Sequence, residues 1–226
     1  MSRSAEEKLE NLARMATKCR ECFSRGEVAE PDINVAQPRW VGPNYWRSTF
    51  RVAILILNPG QSGVNTRDEA FLVRIRAFRN GAMTLRTILE HQREGMKLWG
   101  NSPGRFTDFY IDGLGLELDE VAFANVAWCA TAKNRYPLTM LNRCFERHTG
   151  PLLELLQPSV ILASGSQTHR FGRHVGTLRP ETRIIKILHY AHRKGRAAEQ
   201  RELSRIRSEL ANVRNIAKGW LTPACS

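Results

Sequence analysis

The chain has 226 residues, of which 42% are hydrophobic and 25% charged, and these values suit one folded domain over residues 1–226. It contains no apolar run of the roughly 18 residues needed to cross a bilayer, and its charged N-terminal segment lacks the apolar core of a signal peptide. We therefore expect a cytoplasmic protein with no membrane partner and with reduced cysteines. The net charge of +12 and the pI near 10.1 favour a polyanionic partner such as nucleic acid.

Basic residues are concentrated near the C-terminus. Between Lys186 and Lys218 there are nine lysines and arginines, against only Glu199, Glu202 and Glu209. Such a segment either follows a phosphate backbone or forms the solvated face of a helix.

Hydrophobic periodicity predicts helices along the whole chain. Ser4 and Glu7 form a capping box for a first helix, in which Leu9, Leu12 and Met15 recur at helical spacing. Thr66 caps a second helix that carries Phe71, Ile75 and Phe78 on one face. Further helices are predicted at residues 138–149, 151–156 and 196–218, and one opens at Gly165-Ser166.

Short apolar runs between these helices predict buried strands. They cover residues 51–57, 121–127, 160–164 and 183–188, whereas the proline-rich residues 30–48 predict an ordered irregular loop. Alternation of this kind indicates an α/β fold with a parallel sheet covered on both faces. Ligands of such sheets bind beyond the carboxyl ends of the strands, where three polar clusters fall: Asn58-Pro59-Gly60, Asn125 to Cys129, and His189 to His192.

Four cysteines are spaced as metal ligands. Cys19 and Cys22 form a C-x-x-C pair after the first helix, Cys129 follows a strand, and Cys144 lies in a helix. Four thiolates from two separate places suit either an iron–sulfur cubane or a tetrahedral zinc ion, although buried cysteines are also common without any metal. Cys225, next to the C-terminal residue, is expected to be a spectator.

Together these features resemble the uracil-DNA glycosylase superfamily, especially its iron–sulfur branch, families 4 and 5. There a C-x-x-C pair precedes the first strand, a third cysteine follows an Asn-bearing strand, and a fourth lies about one helix further on. Cys19, Cys22, Cys129 and Cys144 follow that order here, with Asn125 on the second strand. The resemblance implies a three-layer α/β/α sandwich around a four-stranded parallel sheet. It also implies a 4Fe-4S cluster on these cysteines in preference to zinc, and a monomer that acts on DNA containing uracil or related deaminated bases.

Two motifs depart from that branch. Family 4 enzymes carry Gly-Glu-Ala-Pro-Gly in the first motif, whereas Asn58-Pro59-Gly60 is similar to the mismatch-specific and single-strand-selective branches. The last motif is His-Pro-Ser in many relatives and His189-Tyr190-Ala191 here. The chain therefore resembles an outlying member whose substrate range is open.

The resemblance assigns a role to each polar cluster. Asn58 would position the attacking water, and Asn125 would pair with the ring N–H and carbonyl of a flipped-out uracil. His189 would donate a hydrogen bond to the departing base, with His192 as its rival. Each of these residues also has an ordinary structural interpretation, as a turn or strand-end residue that satisfies its neighbours.

Other residues complete the predicted site. Gly60 stands where strict relatives have a tyrosine, so it leaves room for hypoxanthine or xanthine, with Gln61 beside it as a further substrate contact. Phe71 is either the stacking aromatic or a core residue of its helix. The DNA contacts are expected from a basic loop and a helix N-terminus, at Arg193, Lys194, Arg196 and Ser166.

The sequence thus predicts a monofunctional DNA glycosylase that leaves an abasic site. No lysine stands out as a Schiff-base nucleophile, so no lyase activity is expected. Two rivals remain open: a uracil-DNA or abasic-DNA binding protein without activity, and a zinc-bound α/β nucleic-acid protein of another activity.

Overall fold

A computed structural model describes residues 3–26, 36–59, 66–97, 99, 103–131 and 135–219. Its strands are β1 (Val52–Ile56), β2 (Val121–Asn125), β3 (Val160–Ser164) and β4 (Arg183–Ile187). Its α-helices are α1 (Arg3–Lys18), α2 (Glu21–Ser24), α3 (Thr66–Arg79), α4 (Leu85–Met96), α5 (Arg105–Tyr110), α6 (Leu138–Cys144), α7 (Gly150–Leu156), α8 (Ser166–Leu178) and α9 (Arg196–Gly219). Among these described residues, no helix is both long and apolar enough to span a membrane.

The four strands form one parallel sheet in the order β2-β1-β3-β4, which confirms the predicted α/β fold. Val52 pairs with Val160, and Val160 pairs with Arg183. Every residue of β1, β2 and β3 is buried. Because successive strand residues point to opposite faces, burial of all of them means that both faces of the sheet are covered.

The predicted helix over residues 138–149 is interrupted by a π-helical turn. The α-helical geometry ends at Cys144, and Phe145–Thr149 are π-helical before α7 begins at Gly150. The Gly150 N–H donates to the Phe145 carbonyl, five residues back. Pro151 lacks an N–H and its ring crowds the carbonyl four residues earlier, so a wider turn before it relieves that clash.

Contacts along the chain group into two compact units. The first comprises Met1–Val41, Ile56–Gly95 and Phe123–Leu156, and the second comprises Gly42–Leu55, Met96–Ala122 and Gln157–Ser226.

In the first unit, α1 packs on α7 and α3, and its buried residues include Leu9, Ala13 and Ala16. Met15, which shares the predicted spacing with Leu9 and Leu12, is 68% exposed. The prediction for Met15 was therefore wrong. On a helix of 3.6 residues per turn, Ala13 and Ala16 lie on the same face as Leu9, whereas Met15 is rotated by about 120° from it. Helix α4 was not predicted, although Leu85, Ile88 and Leu89 are buried on one face of it.

In the second unit, α9 lies against β4 and buries Leu203, Ile206 and Leu210. These residues recur at intervals of three and four, so one stripe of a charged helix faces the core. The short helix α5 was not predicted, and it brings Phe106, Phe109 and Tyr110 into the same core.

Candidate functional site

The four predicted cysteine ligands line one cavity. Cys19 follows the end of α1, Cys22 lies in α2, Cys129 follows β2, and Cys144 is the last residue of α6. The cavity is partly open to solvent and is also lined by Met140 and other side chains of the first unit. The structure thus brings together residues that are separated by more than half of the chain.

The cysteine sulfurs are close enough for each to affect the pKa of the others. None of these four cysteines is part of a disulfide; Cys129 and Cys144 are buried, and Cys19 and Cys22 are half-buried. Burial raises the pKa of Cys144 to about 12, with Cys22 and Cys19 acting in the same direction, although the Trp128 N–H donates to the Cys144 sulfur at 3.2 Å. Burial and the other three thiols raise the pKa of Cys129 well above its usual range. Four thiolates can share this space only when cations lie between them.

The rim of the cysteine cavity is largely basic. Arg20, Arg143 and Arg147 line it together with Glu21, which forms an ion pair with Arg147 and lies 3.9 Å from Nε of Arg143. Within the described part of the chain, no three His, Cys, Asp or Glu side chains are grouped as around a single metal ion. The donor set of four thiols and the basic rim fit an anionic iron–sulfur cluster, for which Cys19, Cys22, Cys129 and Cys144 are the available ligands.

Asn58 lies just beyond the carboxyl end of β1 and is half-buried. Its amide nitrogen donates to the Tyr136 hydroxyl at 2.9 Å, and that hydroxyl lies 3.3 Å from the Cys129 carbonyl, to which it donates. The two strand ends of the first unit run side by side, since Val126 and Ala127 donate from their backbones to Ile56 and Leu57. Asn58 is therefore fixed beside the segment that leads from β2 to Cys129.

Asn125, the last residue of β2, is fully buried. Its amide meets the guanidinium of Arg39, which is only 5% exposed. A guanidinium can only donate, so the amide oxygen faces it, 2.7 Å from Nε and 3.1 Å from Nη2. The Asn125 carbonyl accepts from the Thr149 hydroxyl at 2.5 Å. The predicted base-reading residue is thus held on both its side chain and its backbone.

The other predicted substrate contacts are less informative. Gly60 and Gln61 lie outside the described residues. Phe71 is partly buried and packs against Leu72 and Ile75, and its ring stacks on His91 with centroids 6.0 Å apart. Of its two interpretations, these contacts favour the core residue of α3.

His189 follows β4 in the second unit and is half-buried. Its Nδ1 accepts from the Ala191 backbone N–H at 3.2 Å, so the ring proton of the neutral imidazole is on Nε2. Burial and the neighbouring His192 lower the pKa of His189 below its ordinary value. Gly165, with φ of +86°, passes close to this loop, and a Cβ there would lie 3.6 Å from the His189 Cβ. His189 is therefore a neutral donor at neutral pH.

The rival histidine is engaged inside the second unit. His192 has a side chain only 8% exposed, and its Nε2 lies 3.0 Å from a carboxylate oxygen of Glu199 without pointing its N–H straight at it. Arg105 binds both carboxylate oxygens of Glu199 and donates to the Tyr190 carbonyl at 2.7 Å. Arg105 also lowers the pKa of Glu199. These contacts clamp the loop after β4, and they favour His189 over His192 as the residue available to a ligand.

The predicted DNA-contacting residues all lie in the second unit. The side chains of Arg193, Lys194 and Arg196 are exposed, and so is Ser166, the first residue of α8. The acidic residues of α9 are used internally: Glu199 by Arg105, Glu202 by the Leu188 N–H and Arg205, and Glu209 by Arg205. The basic segment formed by Arg193, Lys194 and Arg196 therefore presents its charge to solvent.

Sequence reasoning missed Arg39, Tyr136, Arg105 and Glu199. Arg39 and Tyr136 lie in irregular segments without periodicity, so no pattern predicted their burial. A signal was present for Glu199, since an isolated carboxylate in a basic stretch is often held by a buried cation.

No protein-family model and no curated protein matches this chain. Its function is therefore inferred from its residues and their geometry.

Proposed function

We propose that this protein is a DNA glycosylase that hydrolyses the bond between deoxyribose and uracil or a related deaminated base. The observation that carries the proposal is the arrangement of Asn58 and Asn125 at adjoining strand ends, in the unit that also holds the four-cysteine cavity. An amide for the water, an amide for the base and a cluster-binding thiol set are what the resemblance to iron–sulfur uracil-DNA glycosylases implies.

Hydrolysis breaks the C1′–N bond of the nucleotide, and the bonding electrons leave with the base. Water adds its oxygen to C1′ and releases a proton to solvent, while the base anion takes up a proton. Asn58 orients the water through its amide oxygen but is not a proton acceptor as a carboxylate is. We therefore expect weaker catalysis than from an Asp at this position.

His189 supplies the donor for the departing base. A neutral imidazole with its proton on Nε2 can hydrogen-bond to the carbonyl oxygen on which negative charge develops. Because the ring is already fixed by Ala191, little reorganisation is needed when that charge appears.

Asn125 is proposed to read the base. With its oxygen held by Arg39, the amide offers its N–H group to a carbonyl oxygen of uracil, hypoxanthine or xanthine. Cytosine carries an amino group at the corresponding position of its ring and would be rejected. The lesion range depends also on Gly60 and remains part of the proposal.

The cysteine cavity is proposed to hold a 4Fe-4S cluster, with zinc as the less favoured occupant. When bound, the cluster would supply iron cations to the four thiolates and tie α1 and α2 to the segment after β2. The role is structural in this proposal, because none of the steps at C1′ requires an electron.

The DNA partner is supported by the charge of the second unit. Arg193, Lys194 and Arg196 are exposed, while Glu199, Glu202 and Glu209 are turned to internal partners. A polyanion that approaches this segment therefore meets positive charges that nearby carboxylates do not neutralise. We propose that the protein acts as a cytoplasmic monomer on nucleoid DNA.

The proposal is tested by incubating the purified protein with a uracil-bearing oligonucleotide and then cleaving abasic sites with alkali. Wild type is expected to give a cut at the uracil position, whereas Asn58→Ala and His189→Ala should reduce it. A cut that forms without alkali would indicate a lyase instead.

A second candidate is a protein that binds uracil-containing or abasic DNA without cleaving it. The full burial of Asn125 against Arg39 favours the abasic-DNA form of this candidate, because an abasic site presents no base for the amide to read. Tight binding of the oligonucleotide with no alkali-sensitive site would support it over the glycosylase.

A further inference from the structure

We propose that Tyr136 is a positioning residue that sets which way the Asn58 amide faces. This inference rests on the proposed function, because it concerns the residue that orients the attacking water. Tyr136 itself touches neither water nor DNA in the proposal and acts only through Asn58.

Two hydrogen bonds of the Tyr136 hydroxyl determine the orientation of the Asn58 amide. The Cys129 carbonyl can only accept, so the Tyr136 hydroxyl donates its proton there, at 3.3 Å. The same hydroxyl oxygen then accepts from Asn58, and the 2.9 Å contact must involve the amide nitrogen. The amide oxygen of Asn58 is consequently turned to the side opposite Tyr136.

This orientation matters because the two ends of an asparagine amide have nearly the same shape. Its hydrogen-bond partners therefore decide whether the oxygen or the nitrogen is presented at a given place. A water that attacks C1′ needs an acceptor to hold its proton, and only the oxygen provides one. Tyr136 thus selects the productive orientation of Asn58.

The surroundings of Tyr136 fix its hydroxyl. The neighbouring residue Arg135 accepts on its carbonyl from the hydroxyl of Thr131 at 2.7 Å, and Thr131 is 2% exposed. The Tyr136 hydroxyl donates to the backbone carbonyl of Cys129, a residue that lines the cysteine cavity. The Tyr136 hydroxyl therefore connects the backbone of the cysteine cavity to the side chain of Asn58.

Tyr136→Phe removes only the hydroxyl and is the direct test. We expect kcat for uracil release to fall about tenfold, which corresponds to roughly 1.4 kcal/mol, while KM stays within about twofold, because the amide orients the attacking water and does not bind the substrate. Tyr45→Phe is the matched control, because the Tyr45 hydroxyl is buried and has no hydrogen-bond partner in the described part of the chain. That variant should keep the wild-type kcat.

A double-mutant cycle separates positioning from a general structural role. In an Asn58→Ala background there is no amide left to orient, so Tyr136→Phe should change the residual kcat by less than twofold. A merely structural Tyr136 would lower kcat equally in both backgrounds. Equal losses, or no loss from Tyr136→Phe in an active wild type, overturn the inference alone. A wild type that releases no base overturns the proposed function, and this inference with it.

Discussion

The amide oxygen of Asn125 is held by the guanidinium of Arg39, at 2.7 Å from Nε and 3.1 Å from Nη2. Both residues are buried, so this contact is protected from water. It links the end of β2 to the segment after α2 and sets the donor end of the amide. The same contact supports a structural role for Asn125 and a role in base reading, and two substitutions separate them.

Asn125→Asp should keep the fold and lose base excision. A carboxylate accepts from Arg39 with the added strength of opposite charge, so stability should match or exceed that of wild type. However, a carboxylate has no N–H to offer a base carbonyl, and uracil release should stop. Urea denaturation and the alkali assay measure the two effects.

Asn125→Ala is the matched variant. It removes the acceptor and leaves buried donors of Arg39 without that partner, so the free energy of unfolding should fall by about 1–3 kcal/mol. If Asn125→Asp retains full excision activity, Asn125 serves the protein interior alone.

Cys144→Ser should abolish or strongly reduce iron binding. A serine hydroxyl is a poorer ligand than a thiolate for the iron of an iron–sulfur cluster. Cys144 is also buried, so its loss removes one of the four predicted ligands from the interior of the site. The measurements are the iron and sulfide content and the brown colour of protein purified without oxygen. Cys225→Ser is the control, since Cys225 lies outside the described residues and outside the predicted ligand set. A colourless wild type that contains one zinc ion would contradict the cluster.

His189 should make the protein less stable as the pH falls below about 6.5, its ordinary pKa. Burial lowers the pKa of His189 in the folded state, so below that pH the unfolded chain binds a proton that the folded chain does not. Stability therefore decreases with falling pH until the folded pKa is reached. His189→Gln should flatten this part of the stability curve. Thermal melts of both proteins between neutral and mildly acidic pH give the comparison, and parallel curves would contradict it.

Removing the charges of Arg193, Lys194 and Arg196 should weaken DNA binding and lower its dependence on salt. Replacing all three by glutamine should reduce the slope of log K against log salt by about 2–3, if each contacts one phosphate of duplex DNA. The control replaces three exposed cations of other elements, Lys8, Arg76 and Lys97, and changes the net charge equally. Equal slopes for both triple variants would show that binding depends on overall charge alone.

The strands were predictable from the sequence because β1, β2 and β3 are buried on both faces and read as unbroken apolar runs. The turns after them were predictable because Asn58-Pro59 cannot continue a strand. Met15 was misplaced because the prediction followed the large apolar residues, whereas the buried face of α1 continues from Leu9 through two alanines. Arg39 and Tyr136 could not be found, since a polar side chain from an irregular segment is buried only through partners distant in sequence.

The proposed function is tested most directly by mass spectrometry of a uracil-bearing oligonucleotide after incubation with the intact protein. The expected product is a full-length strand that has exchanged its uracil for a hydroxyl group, with one free uracil released for each abasic site. Asn58→Ala should yield much less of both. An oligonucleotide of unchanged mass, under conditions where the protein binds it, would contradict the glycosylase and leave a DNA-binding protein.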